Sequence, residues 1–130
     1  MKRLLAALLI SCAIVVPVSA QTPKGNYVFG TGSGTDTAAH TIISSPGTSL
    51  RIYVTGVQCA RTDAGTTAIF LTLNDDKSSV IVLPNAGNGG GNNMSFGAGV
   101  ITVARGTALT FTASSGVSTV YCNAQGYAAN

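Results

Sequence analysis

The sequence predicts an all-β domain, a sandwich or barrel of about eight or nine short strands, and three observations predict it. After residue 20 the chain has no Glu or Trp and is dominated by Ala, Gly, Thr, Ser, Val and Asn. That composition is poor in helix formers, while Thr, Val, Ile and the aromatics suit a pleated sheet. Apolar and polar residues then alternate with period two in several runs, and Gly, Asn, Asp and Pro punctuate those runs at short intervals.

The first twenty residues stand apart. Met1-Lys2-Arg3 is a positive start, and Leu4–Val16 is an apolar run interrupted only by Ser11 and Cys12. Pro17 breaks the run, and Val18-Ser19-Ala20 offers small residues to a signal peptidase. This pattern predicts a cleavable signal peptide over residues 1–20 and one mature domain over 21–130, secreted or periplasmic. A membrane anchor is the alternative, but the run is thirteen residues where about 20 are needed to span a bilayer. No stable membrane insertion is therefore expected after cleavage. Leu9-Ile10-Ser11-Cys12 resembles a lipobox, with lipidation at Cys12. The apolar stretch before Cys12 is short and the chain stays apolar through Val18, so cleavage after Ala20 is preferred.

Removing the leader changes the charge. The formal +3 of the whole chain includes Lys2 and Arg3; what remains is Lys24, Arg51, Arg61, Lys77 and Arg105 against Asp36, Asp63, Asp75 and Asp76, a net +1. With no Lys/Arg cluster and no basic stripe interleaved with aromatics, nucleic acid is excluded as a partner.

Along the mature chain, weak strand signals at Tyr27–Phe29 and Ala39–Ile43 flank Gly30-Thr31-Gly32-Ser33-Gly34, which reads as a flexible segment. Leu50, Ile52 and Val54 alternate with Arg51, Tyr53 and Thr55. The phase then slips by one, so that Val57 and Cys59 become the apolar positions. A β-bulge at or near Gly56 keeps all five on one face. Ile69, Leu71 and Leu73 form the next inward set, Asn74-Asp75-Asp76-Lys77 a turn, and Val80–Leu83 an apolar run stopped by Pro84. Asn85–Asn93 reads as a polar, Gly-rich loop. Weak strands at Asn93–Phe96 and Val100–Ala104 precede two strong ones. In these, Leu109, Phe111 and Ala113, and then Val120, Cys122 and Ala124, point inward.

Cys59 and Cys122 remain once Cys12 leaves with the leader, and two thiols in an exported domain predict one disulfide. Each sits on the apolar face of its strand, so the bond either joins two sheets or ties neighbours within one. A metal pair lacks further ligands, since His40 is the single histidine, and a nucleophilic Cys would need a His base.

No combination of residues specifies a reaction, and neither cofactor nor metal is expected. Asp75-Asp76 is explained by a hairpin tip, because adjacent residues there point apart. His40 reads as a strand histidine with a solvated or backbone-bonded ring. Gly32-Ser33-Gly34-Thr35-Asp36 matches part of a calcium-binding β-helix repeat, but those sites need stacked copies. Asn74-Asp75-Asp76 also falls short of the six to eight oxygens calcium takes. A binding face is the better candidate. Arg51, Tyr53 and Thr55, and separately Tyr121, Asn123 and Gln125, are outward sets of two strong strands, able to stack on sugars or pack against protein.

The segment Leu50-Arg51-Ile52-Tyr53-Val54-Thr55-Gly56-Val57, the segment Gly106–Ser114, and Val117–Tyr127 together resemble small jelly-roll proteins of tailed phages and prophages. The resemblance implies a jelly-roll-like antiparallel sandwich, and surface, decoration or fibre-tip modules that often trimerise. It assigns no site residue, and the export leader departs from such virion proteins. An immunoglobulin-like sandwich is not adopted: no Trp packs on the disulfide, and Val120 stands where the tyrosine corner belongs. The expected function is a non-enzymatic exported structural or surface-interaction module, with a homo-oligomer (a trimer) as the expected state and a glycan or surface protein as the expected partner. The alternative is a lectin-like carbohydrate-binding module.

Overall fold

Each backbone N–H and C=O in an extended chain must find a partner, and here almost every strand finds it far away in sequence. The computed structural model describes residues 25–62, 68–76, 78–85, 90–96, 101–115 and 119–130. Residues 1–20 with Cys12, the residues Lys24, Asp63 and Lys77, and part of the Gly-rich stretch (86–89) lie outside the described residues. Nine strands are described: β1 (Asn26–Gly34), β2 (His40–Ile43), β3 (Arg51–Arg61), β4 (Ile69–Asn74), β5 (Ser79–Asn85), β6 (Gly91–Ser95), β7 (Ile101–Thr102), β8 (Leu109–Ala113) and β9 (Val120–Ala129).

They form two sheets. One has the order β1-β9-β3-β6, with β7 also pairing β3; the other has the order β2-β8-β4-β5. The antiparallel pairs β1 with β9, β2 with β8, β3 with β6 and β4 with β5 describe one long ribbon doubled on itself and rolled up. That is a jelly roll, and the expected fold class holds.

The inward residues are those the alternation selects. Ile52, Val54 and Val57 of β3 are buried, as are Ile69, Leu71 and Leu73 of β4, Leu109 and Phe111 of β8, and Val120 and Ala124 of β9. Each large one contributes roughly 1.5–3 kcal/mol by leaving water. The phase slip in β3 is a register shift against β9 between Val54 and Gly56, so the bulge lies where the sequence places it. Cys59 and Cys122 are bonded, and they are directly opposed partners on β3 and β9. The staple therefore ties neighbours within one sheet.

Three local expectations change. Gly30-Thr31-Gly32-Ser33-Gly34 is not a loose segment but the second half of β1. Its glycines face β2: a Cβ on Gly32 would stand 2.5 Å from the Thr41 carbonyl oxygen, and one on Gly30 would strike the Ile42 carbonyl. The missing side chains let the two sheets close against each other at this edge. Second, β5 runs through Pro84 to Asn85. It lies at the edge of its sheet, where a missing N–H breaks no ladder. Third, the stretch Asn85–Asn93 is strand at both ends, because Asn85 closes β5 and Gly91-Asn92-Asn93 opens β6 against Ala60, Cys59 and Gln58.

Candidate functional site: the outer face of the five-stranded sheet

β3 and β9 are adjacent, so the two outward sets that look separate in sequence share one surface. Pairing sorts that surface into rows across the strands. Tyr27, Tyr127 and Tyr53 lie side by side on β1, β9 and β3. The Tyr53 and Tyr127 rings stack with centroids 4.9 Å apart and planes 6° from parallel. The Tyr27 hydroxyl donates to Gln125 Oε1 at 3.3 Å. The next row is Phe29, Gln125, Gly56 and Ser95, and below it Thr31, Asn123, Gln58 and Asn93. The last is Ser33, Tyr121, Ala60 and Gly91.

Several of these aromatic side chains are left in solvent: Tyr27 is 70% exposed, Phe29 60% and Tyr121 51%. The three lie on one face, which distinguishes them from the scattered apolar residues any surface carries. A depression of about 260 Å³ opens among them, its wall formed by Phe29, Gln58, Asn93, Asn123 and Gln125. It exists because the bulge brings Gly56 into the outer row opposite Gln125 with no side chain to fill the place.

The sequence-predicted residues are thus partly brought together. Asn123 and Gln125 line the depression, Tyr53 belongs to the tyrosine row, and Tyr121 lies on the far side. Arg51 stands at the end of β3 opposite Ala129, five to seven residues from Gly56 and Gln58, or roughly 16–23 Å by strand rise. It is no part of the depression, and its Nε is buried with no hydrogen-bond partner among the described residues. Sequence reasoning missed Tyr27, Phe29, Tyr127, Gln58 and Asn93. The alternation Tyr27-Val28-Phe29 was a usable signal; the convergence of four strands on one spot was not.

The other candidates resolve into structural roles. Asp75 is buried; Oδ1 accepts from the Ser78 N–H at 2.8 Å and the Ser78 hydroxyl at 3.1 Å, and Oδ2 from the Ala104 N–H at 2.8 Å. The carboxylate closes the β4–β5 turn and pins it to the segment after β7. His40 packs its ring on Phe111 and turns Nε2 to Asp36 Oδ1 at 2.8 Å, so its partner is a side-chain carboxylate. The same oxygen accepts from the Ala38 N–H at 2.9 Å. That bond, with His40 beside it, holds the Asp36 carboxyl below its ordinary value. Among the described residues, no group of three or more His, Cys, Asp or Glu side chains could hold a metal ion.

No family model matches the sequence, and no curated protein matches it. Among solved structures the chain is similar to the virus-like particle of the extra small virus of the giant freshwater prawn Macrobrachium rosenbergii, solved by cryo-EM. The match has 13% identity, covers 98% of this chain and 95% of that chain, and has a TM-score of 0.43. The neighbour is a virus particle but not a tailed-phage decoration protein. At that similarity, fold and function rest on the chain's own residues.

Proposed function

We propose that the protein is an exported, non-enzymatic jelly-roll module that acts through the outer face of its five-stranded sheet as a surface-interaction or assembly element. One observation carries this reading: Tyr27, Phe29 and Tyr121 are more than half exposed on a single face, beside the stacked Tyr53–Tyr127 pair. Solvent-facing aromatics gathered on one rigid sheet offer large contact area at little cost in side-chain entropy. The leader over residues 1–20 supports export to the periplasm or medium. The strand resemblance to small phage jelly rolls supports a structural role and a trimeric state.

The test is to compare the exported protein with Tyr27→Ser/Phe29→Ser and Tyr121→Ser variants. Light scattering reads self-association, and sedimentation with the producing cells reads surface attachment. These side chains are exposed, so circular dichroism and melting should stay unchanged, while assembly or attachment should fall at least tenfold. Retention of both in the variants would refute the proposed face. Hydrolytic activity that follows the protein through purification would refute the non-enzymatic reading. A carbohydrate-binding role is favoured by a separate feature, the amide-lined depression.

A further inference from the structure

We infer that the depression over the Gly56 bulge is a binding site for an uncharged saccharide chain. The inference rests on the outer face being the working surface and names the ligand class for it. Three features converge there. Gln58, Asn93, Asn123 and Gln125 wall it with four primary amides, each carrying donors and an acceptor on one side chain. A sugar presents hydroxyls that both donate and accept, so every amide can be satisfied in either direction. Phe29, 60% exposed at the rim, supplies an apolar platform for the C–H face of a pyranose ring. The third feature is charge: among the described residues, no ionisable side chain lines the depression.

That third feature sets specificity. A phosphate, sulfate or uronate would lose water without gaining a cation, which costs free energy. Arg51, the cation on the outward side of β3, is roughly 16–23 Å along the strand from Gly56 and Gln58. A neutral chain meets no such penalty, and its affinity carries no titration step from the site. The volume, about 260 Å³, falls below the roughly 300–1,000 Å³ of pockets that engulf a small molecule. It suits a ligand lying across the sheet, with the tyrosine row and Tyr121 on either side of the contact.

Gly56 provides the sharpest variant. A Cβ there would stand 3.1 Å from Gln125 Nε2 and 3.4 Å from its Cγ. It would meet the end of a flexible side chain, so Gly56→Ala fills the floor and displaces one amide while the sheet can adjust. Asn123→Ala removes a second amide from an exposed position.

The full exported protein, labelled with 15N, is titrated with tetrasaccharides of glucose, galactose, mannose and N-acetylglucosamine, and with tetragalacturonate as the acidic counterpart. At least one neutral tetrasaccharide should give saturable shifts at the backbone amides of Gly56, Gln58, Asn93, Asn123 and Gln125. Gly56→Ala and Asn123→Ala should each weaken it at least tenfold with melting temperature unchanged, and the affinity should be equal at pH 5 and pH 8. Saturation by none of the neutral chains, tighter binding of tetragalacturonate, or shifts confined to another surface would each overturn the saccharide site. If attachment or assembly still depends on Tyr27, Phe29 and Tyr121 in that case, the face works on protein and only this inference falls. If neither sugar binding nor attachment responds, the proposed face falls as well.

Discussion

Breaking the Cys59–Cys122 bond should cost this domain about 4 kcal/mol, through the unfolded state. The bond joins residues 63 apart, and closing a loop of that length removes about 14 cal/mol/K of chain entropy, about 4 kcal/mol at 25 °C. In the folded protein the same two residues already face each other in the register that holds β3 to β9 from Arg51 to Arg61, so the native sheet has little need of the link. The unfolded chain differs, because β3 and β9 have no local reason to meet. For a domain of about a hundred residues, 4 kcal/mol is a large share of the ordinary 5–15 kcal/mol. It corresponds to roughly 16–32 °C in melting temperature.

The assay is urea unfolding of the oxidised protein and of Cys59→Ala/Cys122→Ala, followed by intrinsic tyrosine fluorescence and circular dichroism. The double variant should show a lower midpoint and a steeper urea dependence, because an uncrosslinked chain exposes more surface on unfolding. It should also refold more slowly, since the bond spares the chain one of its long closures. A loss below 1 kcal/mol with the bond demonstrably absent would refute the reasoning. Two free thiols in protein purified under non-reducing conditions, read by mass spectrometry, would refute the bond itself.

Other perturbations reach different parts of the fold. Leu71→Ala removes a fully buried side chain from the centre of β4 and should cost about 2–5 kcal/mol in the same urea assay; a cost under 1 kcal/mol would mean the two sheets are not packed through this residue. Asp75→Ala leaves the Ser78 and Ala104 N–H groups without their carboxylate acceptor and should cost about 1–3 kcal/mol, with hydrogen exchange quickening at those two amides first. Unchanged exchange there would refute the clamp. Because the folded Asp36 carboxyl titrates below its ordinary value, its contribution is present above the unfolded value and lost as pH falls through the folded one. Melting of the wild type should therefore decline more steeply between pH 4 and pH 2 than that of Asp36→Asn, and parallel curves would remove Asp36 from the acid limb. Gly32→Ala should destabilise by about 1–3 kcal/mol, because the new methyl meets the Thr41 backbone. A flexible segment would instead gain about 0.4–1 kcal/mol from the same change, so the sign alone distinguishes strand from loop.

The strands that bury one face were legible because burial writes itself into sequence. Ile69, Leu71 and Leu73 alternate with residues that point away, and a one-residue slip would turn the set to water. The glycines of β1 defeated the same logic. Gly30, Gly32 and Gly34 occupy inward positions with no apolar side chain, so alternation has nothing to detect, and composition alone says loop. Their reason lies in β2, whose backbone at Ile42 and Thr41 takes the space side chains on Gly30 and Gly32 would fill, and whose His40 ring takes that of Gly34. Pro84 misled for a related reason: it ends a central strand but not an edge strand, and only the sheet order says which β5 is.

The site was legible residue by residue but not as a place. Asn123 and Gln125 were visible as outward polar residues, yet Phe29, Gln58 and Asn93 join them only through three strand pairings that span most of the chain. Register, and not any local motif, converts four unremarkable amides into one wall. One element connects the two levels. The bulge at Gly56 was inferred from a phase slip that keeps Val54, Val57 and Cys59 on the inward face, a demand made by the core. Satisfying that demand leaves Thr55 as the extra residue without a partner on β9 and sets Gly56 opposite Gln125, and because Gly56 has no side chain the outer row has a gap. A larger residue at 56 would leave the core phase intact and fill the gap. Core packing therefore accounts for the bulge, while the glycine within it accounts for the depression, and Gly56→Ala separates the two.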